Sequence, residues 1–192
     1  MGVPVIDTGP MTVEEFYALT DTRPDGEKWE LIDGEAILNA APSDPHQLII
    51  SNLIIALGVQ ARQQASSWTV IPGIGVRVSD ISRPEPDVMI VPKTRVRLGS
   101  TNRDTRDAVV LFEILSPSTA SRDLKWKRAA YTSLPALTHY VVIAQEAVDV
   151  VVFARDRGFA EQRFSAIGDV IEFPALGASL PLSEIYRDID FS

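Results

Sequence analysis

A single stretch, Ala108–Leu115, does most to limit what this chain can become. It reads Ala-Val-Val-Leu-Phe-Glu-Ile-Leu, too short for a core helix and too continuous for a surface strand. Such a run is a strand with both faces of its pleat buried, and so requires a sheet covered by other elements. Its one polar member, Glu113, is the anomaly. A carboxylate among these neighbours must be paired, protonated or metal-bound, because an unpaired buried charge is too costly. The bland alternative is a buried acid bonded to an arginine or a backbone amide.

Around that strand the sequence predicts an alternation of helices and strands. Thr12 and Glu15 form a capping-box pattern that opens a short helix ending near Leu19. Strands over Lys28–Ile32 and Glu35–Asn39 meet at Asp33-Gly34, a strong hairpin signal. After a break at Pro42 and Pro45, His46–Gln64 carries Leu48, Ile49, Leu53, Ile54, Leu57 and Ala61 at helical spacing. Trp68–Val78, interrupted by Pro72 and Gly73, and Pro86–Val91 read as strands. Arg122–Leu134 reads as a second core helix. His139–Ala144 and Val148–Arg155 follow as a hairpin pair. Short strands near Phe159–Phe164 and Val170–Phe173 and a turn around Pro181–Tyr186 close the chain. The expected fold class is α/β (α+β): a mixed β-sheet flanked by helices, with an N-terminal helix–hairpin and C-terminal strands.

Length sets the organisation: 192 residues suit one domain, expected over 12–192 behind a loose N-terminal arm over 1–11. No repeat or low-complexity tract interrupts it. The absence of cysteine excludes a disulfide framework, a thiolate zinc site and a cysteine nucleophile. Met1–Pro10 lacks the basic start and apolar core of a leader, and no apolar run approaches the ~20 residues of a membrane helix. A soluble, cytoplasmic protein with no membrane partner is the expectation. The net charge of −8 argues against a protein that simply coats nucleic acid, which would show a basic excess. A metal-dependent enzyme is less constrained, since its cations offset clustered carboxylates.

Asp87 enters the next strand in Pro86-Asp87-Val88, where the plain reading is a strand-entry device. If strands 86–91 and 109–115 are neighbours, Asp87 and Glu113 form an acidic pair. Two carboxylates ~4 Å apart repel by roughly 4 kcal/mol at an effective dielectric near 20. A hard divalent cation, Mg²⁺ or Mn²⁺, converts that repulsion into binding. On this premise Glu113→Gln is expected to remove metal binding while preserving or raising stability. Glu30 is either an ordinary exposed glutamate of the first strand or a third oxygen ligand. Asp123, Lys127 and Tyr131 fall at i, i+4 and i+8, on one face of the second helix. The plain reading there is a surface ion pair. The functional one is a lysine that orients water or stabilises phosphate charge beside a metal. His46, at a helix start, could line the same site. His46 and His139 lack zinc-ligand spacing, Gly73-Ile74-Gly75 lacks the rest of a dinucleotide loop, and no Gly-x-Ser-x-Gly occurs.

Taken together, Trp29-Glu30-Leu31-Ile32-Asp33-Gly34-Glu35, Ala41-Pro42-Ser43 with His46, Pro86-Asp87-Val88 and Phe112–Thr119 with Arg122-Asp123, Lys127 and Tyr131 resemble the Uma2 family. The resemblance runs from about Thr12 to Tyr186. That family of restriction-endonuclease-like proteins is placed in the PD-(D/E)xK nuclease superfamily, and the resemblance implies a metal-dependent endonuclease. By the resemblance, Glu30, Asp87 and Glu113 are the acidic cluster holding Mg²⁺ or Mn²⁺. The superfamily's lysine stands two residues after the second acid, where this chain has Leu115. Lys127 on the following helix takes its place, with Lys125 as the fallback. Asp123, His46 and Tyr131 are expected around the site. Nucleic acid, DNA above all, is the implied substrate and a homodimer the implied assembly. The alternative is a catalytically inactive interaction module that keeps the nuclease fold. A glycosidase built on paired carboxylates would want an aromatic cleft, and aromatics are only 7% of the chain.

Overall fold

In the computed structural model, which describes residues 9–115 and 123–191 (backbone alone for Asp123 and Leu124), the apolar run forms the middle of a sheet. The elements are α1 (Val13–Thr20), β1 (Trp29–Ile32), β2 (Glu35–Leu38), α2 (Asp44–Gln63), β3 (Trp68–Pro72), β4 (Gly75–Val76), β5 (Val88–Pro92), β6 (Asp104–Thr105) and β7 (Val110–Leu115). A π-helical turn, Asp123–Lys127, runs into α3 (Arg128–Thr132). Then come β8 (His139–Ala144), β9 (Val150–Ala154), β10 (Glu161–Phe164), β11 (Val170–Phe173), β12 (Ala178–Pro181) and α4 (Leu182–Ile185). The central sheet has the order β10-β9-β8-β7-β5-β3. β7 and β8 are parallel and every other neighbouring pair is antiparallel, which is the expected mixed sheet.

Alternation along β7 explains why the run is apolar throughout. Val110, Phe112 and Ile114 face one core with Val88, Ile90, Val141 and Ile143. The buried stripe of α2, Ile49, Leu53, Leu57 and Ala61 at four-residue steps, packs on that side. Leu111 faces the other core, with Met89, Val91, Tyr140 and Val142, which Tyr131 and Leu134 cover from the α3 side. Burying each such side chain is worth roughly 1.5–3 kcal/mol, so the two cores fix the sheet firmly. α2, the longest helix, is not apolar enough to cross a membrane, nor is any other described helix.

Three local devices differ from the sequence expectation or sharpen it. α2 begins at Asp44 rather than after a break at Pro45, because Pro45 sits in the first turn, where its missing N–H costs nothing. Ser43 caps that turn, its hydroxyl accepting from the His46 N–H. Between β1 and β2 both turn residues have positive φ, Asp33 at 50° and Gly34 at 83°, the conformation that an Asp-Gly hairpin turn requires. A Cβ on Gly34 would lie 2.2 Å from the Pro10 Cβ, and Met11 N–H donates to the Gly34 carbonyl. The end of the N-terminal arm is therefore held on the hairpin. Residues 1–8 lie outside the described residues.

The same hairpin is positioned by backbone pairing with the segment before β5. Leu31 and Arg83 exchange N–H···O bonds of 3.2 and 2.7 Å, and Gly34 N–H donates to Ile81 at 2.7 Å. β1 thus lies across the end of the sheet where β5 begins and β7 ends. α2 starts at the same end.

Candidate active site

Four elements meet there around a cleft of about 530 Å³. Antiparallel pairing sets Val88 opposite Phe112, and continuing that register puts Asp87 opposite Glu113. Asp87 N–H donates to the Phe112 carbonyl at 3.1 Å, and Ile114 N–H donates to Asp87 Oδ2 at 2.8 Å. The two acids therefore share one edge of the cleft, as the neighbouring-strand condition required. Both are buried, Asp87 5% and Glu113 3% exposed.

Glu30 comes from β1 and is 1% exposed, which disposes of the surface-glutamate reading. Its carboxylate accepts from Glu85 N–H at 2.7 Å and from Asn39 Nδ2 at 3.1 Å. Lys127 arrives from the opposite side at the end of the π-turn. Its Nζ lies 2.8 Å from Glu30 Oε1 and 2.9 Å from Glu113 Oε1. Tyr131, one turn on, donates its hydroxyl to the same Glu113 oxygen at 2.9 Å. Burial and the Glu113 charge push the Tyr131 phenol well above its ordinary range, so it stays a donor.

Two more cations or potential cations face Asp87. Lys28 Nζ is 2.6 Å and His46 Nε2 3.2 Å from Asp87 Oδ1. The expected site residues Glu30, Asp87, Glu113, Lys127, His46 and Tyr131 are thus brought together. Lys125 is exposed and lies outside this network, so of the two lysines Lys127 is the one at the acids. The Asp123 side chain lies outside the described residues.

Sequence reasoning missed Lys28, Asn39 and Glu85. For Lys28 the signal was available. It stands two residues before Glu30, hence on the same side of an extended chain. Asn39 and Glu85 act through the Asn39 amide and the Glu85 backbone, which no pattern of residue types reports.

The electrostatics correct one expectation. The premise for Glu113→Gln was a bare, repelling acid pair, whereas lysine ammonium groups lie between and beside these carboxylates. Removing the Glu113 charge now weakens a satisfied buried pair, and the expected sign is destabilising.

Burial alone would raise the Asp87 pKa. The His46 hydrogen bond and the Lys28 charge outweigh it and hold the group well below the ordinary carboxylate range. Glu30 is likewise lowered: burial raises it, but Lys127 and the Glu85 N–H more than compensate. A depressed folded pKa stabilises the fold above the unfolded value and loses that contribution as pH falls through the folded one. Unfolding free energy should therefore decline as pH drops below the ordinary values of 3.8 and 4.5 for the two groups. Denaturation midpoints across that acid range test it. Asp87→Asn should flatten the slope, and an unchanged slope would refute the assignment.

Whether a divalent cation suits this cleft depends on the donors. They are carboxylate oxygens with one imidazole and no thiolate, the chemistry of a hard ion. Among the described residues no group of three or more His, Asp or Glu side chains is arranged as a ready ligand set. Three carboxylates against Lys28 and Lys127 nevertheless leave the cluster one negative charge in excess. The Lys28 side chain is one-third exposed and able to swing away from Asp87 Oδ1. A cation at Asp87 and Glu113 fits on those terms.

The solved structure described as "a putative nuclease belonging to DUF820", from Anabaena variabilis, superposes with a TM-score of 0.75 at 16% identity. The match covers 92% of this chain and 98% of that one, and at this identity it shows a shared fold. No curated protein sequence matches the chain. The profile of the Uma2 family, described as "Putative restriction endonuclease", matches residues 13–183, spanning the hairpin, both central strands and the helix with Lys127. The chain belongs to the Uma2 family.

Proposed function

We infer that this protein is a metal-dependent endonuclease that hydrolyses phosphodiester bonds in DNA. The observation that carries the reading is the convergence of Glu30, Asp87 and Glu113 with Lys28 and Lys127 in one cleft at the sheet's end. A purely structural domain gains nothing from burying three acids together, since breaking or forming such pairs rarely improves on an apolar core. The family membership and the nuclease-like fold agree with it.

Asp87 and Glu113 are the residues that would hold Mg²⁺ or Mn²⁺. The ion, when bound, lowers the pKa of a water and offsets charge on the phosphate. The protein's own residues then divide the remaining work. The Ile114 N–H holds Asp87 Oδ2 and His46 holds Oδ1, the oxygen that Lys28 also meets. Lys127 was expected to steer water. Its burial and its two glutamate partners favour a positioning part instead, locking Glu30 and Glu113 in place. Lys28, at the mouth and partly exposed, is the lysine placed to meet a phosphate oxygen.

One observation favours the second reading, an inactive module: each of the three carboxylates already has a lysine partner, so the cleft is nearly self-neutralised. Cleavage of supercoiled plasmid and of single-stranded DNA in Mg²⁺ or Mn²⁺, against EDTA, decides between them. Metal-dependent nicking is the expected result. Equal products with and without metal, or none with either, would remove the endonuclease reading. The family resemblance also implies a homodimer, which sedimentation of the purified chain tests.

A further inference from the structure

The chain is acidic overall, yet its positive charge is unevenly spent. From the end of β5 to just past β6, residues 93–106 carry Lys93, Arg95, Arg97, Arg103 and Arg106 against a single acid, Asp104. That is a local excess of cations in a protein of net charge −8. Two of the five are committed to carboxylates. Arg103 pairs with Asp21 at 2.7 Å and stacks over Tyr17, and Arg106 lies 3.8 Å from Asp80.

Lys93, Arg95 and Arg97 have no carboxylate partner among the described residues. Arg95 donates to the Asp104 carbonyl and Arg97 to the Thr94 carbonyl. Three cations at alternate positions are thus left with uncompensated charge. Beside them Val96 and Leu98 are exposed, Leu98 fully. Exposed apolar side chains of this kind are ordinary on a protein surface, so it is the unpaired cations that call for a partner.

The placement of the segment gives the covering partner its shape. Lys93 N–H donates to Ser67 just before β3, and the Arg103 carbonyl accepts from Gly75 just after it. The segment's two ends are therefore tied to the two ends of β3, the edge strand of the sheet. β3 itself, Trp68–Pro72, is five extended residues, about 17 Å long. The far end abuts Pro72 and Gly73, which line the cleft. The three unpaired cations gather at the Ser67 end of that edge, a compact positive patch suited to the closely spaced phosphates of a duplex, one charge per about 1.7 Å of helix axis.

We propose that residues 93–103 are a docking rail for the phosphate backbone of duplex DNA, with Lys93, Arg95 and Arg97 as its contacts. The proposal rests on the endonuclease reading for its partner, but it concerns a surface apart from the acids. Specific steering has an electrostatic reason here. An otherwise acidic protein repels DNA except where local positive charge admits it, so a confined cationic strip also orients the approach.

The test is binding of a fluorescent duplex oligonucleotide in EDTA, by anisotropy, across a salt series. The variant is Lys93→Gln/Arg97→Gln, which spares Arg95 and its carbonyl bond. Both side chains are exposed, so the melting temperature should not move. Affinity should fall about fivefold or more, and the log–log salt slope should fall by about two. Unchanged affinity and slope would overturn the proposal. So would a wild type that fails to bind the duplex, which would turn the strip toward an acidic protein surface. Binding through the strip without any cleavage would leave this proposal standing and remove the endonuclease reading. Cleavage and binding that both ignore the double substitution would do the reverse.

Discussion

Lys127→Met should destabilise the fold by about 3–5 kcal/mol, the usual cost of stranding buried charge. Lys127 is 3% exposed and its ammonium serves Glu30 and Glu113 at once, each buried in turn. Methionine fills a similar volume, so the loss is electrostatic rather than a cavity. Removing the cation leaves two carboxylates facing each other with little access to water. Of their remaining partners, the Glu85 N–H and Asn39 hold Glu30, and Tyr131 holds Glu113. None of these three carries charge, which leaves Lys28, whose ammonium also interacts with Glu113, as the nearby cation. Chemical denaturation at neutral pH reads the effect. A double variant, Lys127→Met with Glu113→Gln, should recover part of the loss, because it removes one stranded charge along with the cation. A Lys127→Met protein as stable as wild type would mean that the buried triad is not held as described.

The triad also shows which parts of this molecule its sequence discloses. Glu113 was legible because the residues around it are uniformly apolar, and an acid in such a run has few physical options. Lys127 and Tyr131 were legible through helical spacing. They meet the same Glu113 oxygen although the backbone at Lys127 is π-helical rather than α-helical. The sheet was legible from the apolar strands, and the β1–β2 turn from Asp33-Gly34. Other contacts were not. His46 reaches Asp87 across 41 positions, and the Glu85 backbone reaches Glu30 across 55, distances over which periodicity carries no information. Pro45 was misread as a break because a proline in the first turn of a helix and one before it differ only in what precedes them. Ser43, the cap, was the deciding residue. The parallel pairing of two-residue β4 with β6 is likewise too short to leave a pattern.

Asp87→Ala should abolish metal-dependent cleavage, by at least about 10³-fold, while costing the fold far less than Lys127→Met does. Losing a ligand of the ion forfeits several kcal/mol of charge stabilisation, and each 1.36 kcal/mol is about tenfold in rate. The structural cost falls on three partners, of which His46, with a side chain 13% exposed, loses its contact with Asp87 Oδ1. Lys28 is one-third exposed and can return its ammonium to water, so its loss of a partner is mild. Ile114 N–H is buried and loses its acceptor, which costs about 1–3 kcal/mol. Asp87→Asn separates the two. An amide oxygen can still accept from Ile114, so that part of the stability should return, while the charge pairing with Lys28 and His46 stays lost. A neutral amide is a poor ligand for a hard cation, so cleavage should stay lost. Rates on supercoiled plasmid, set beside melting curves of the same samples, test the separation. If Asp87→Asn cleaved as well as wild type, Asp87 would be only a strand-end acceptor. If both variants unfolded, its part would be structural.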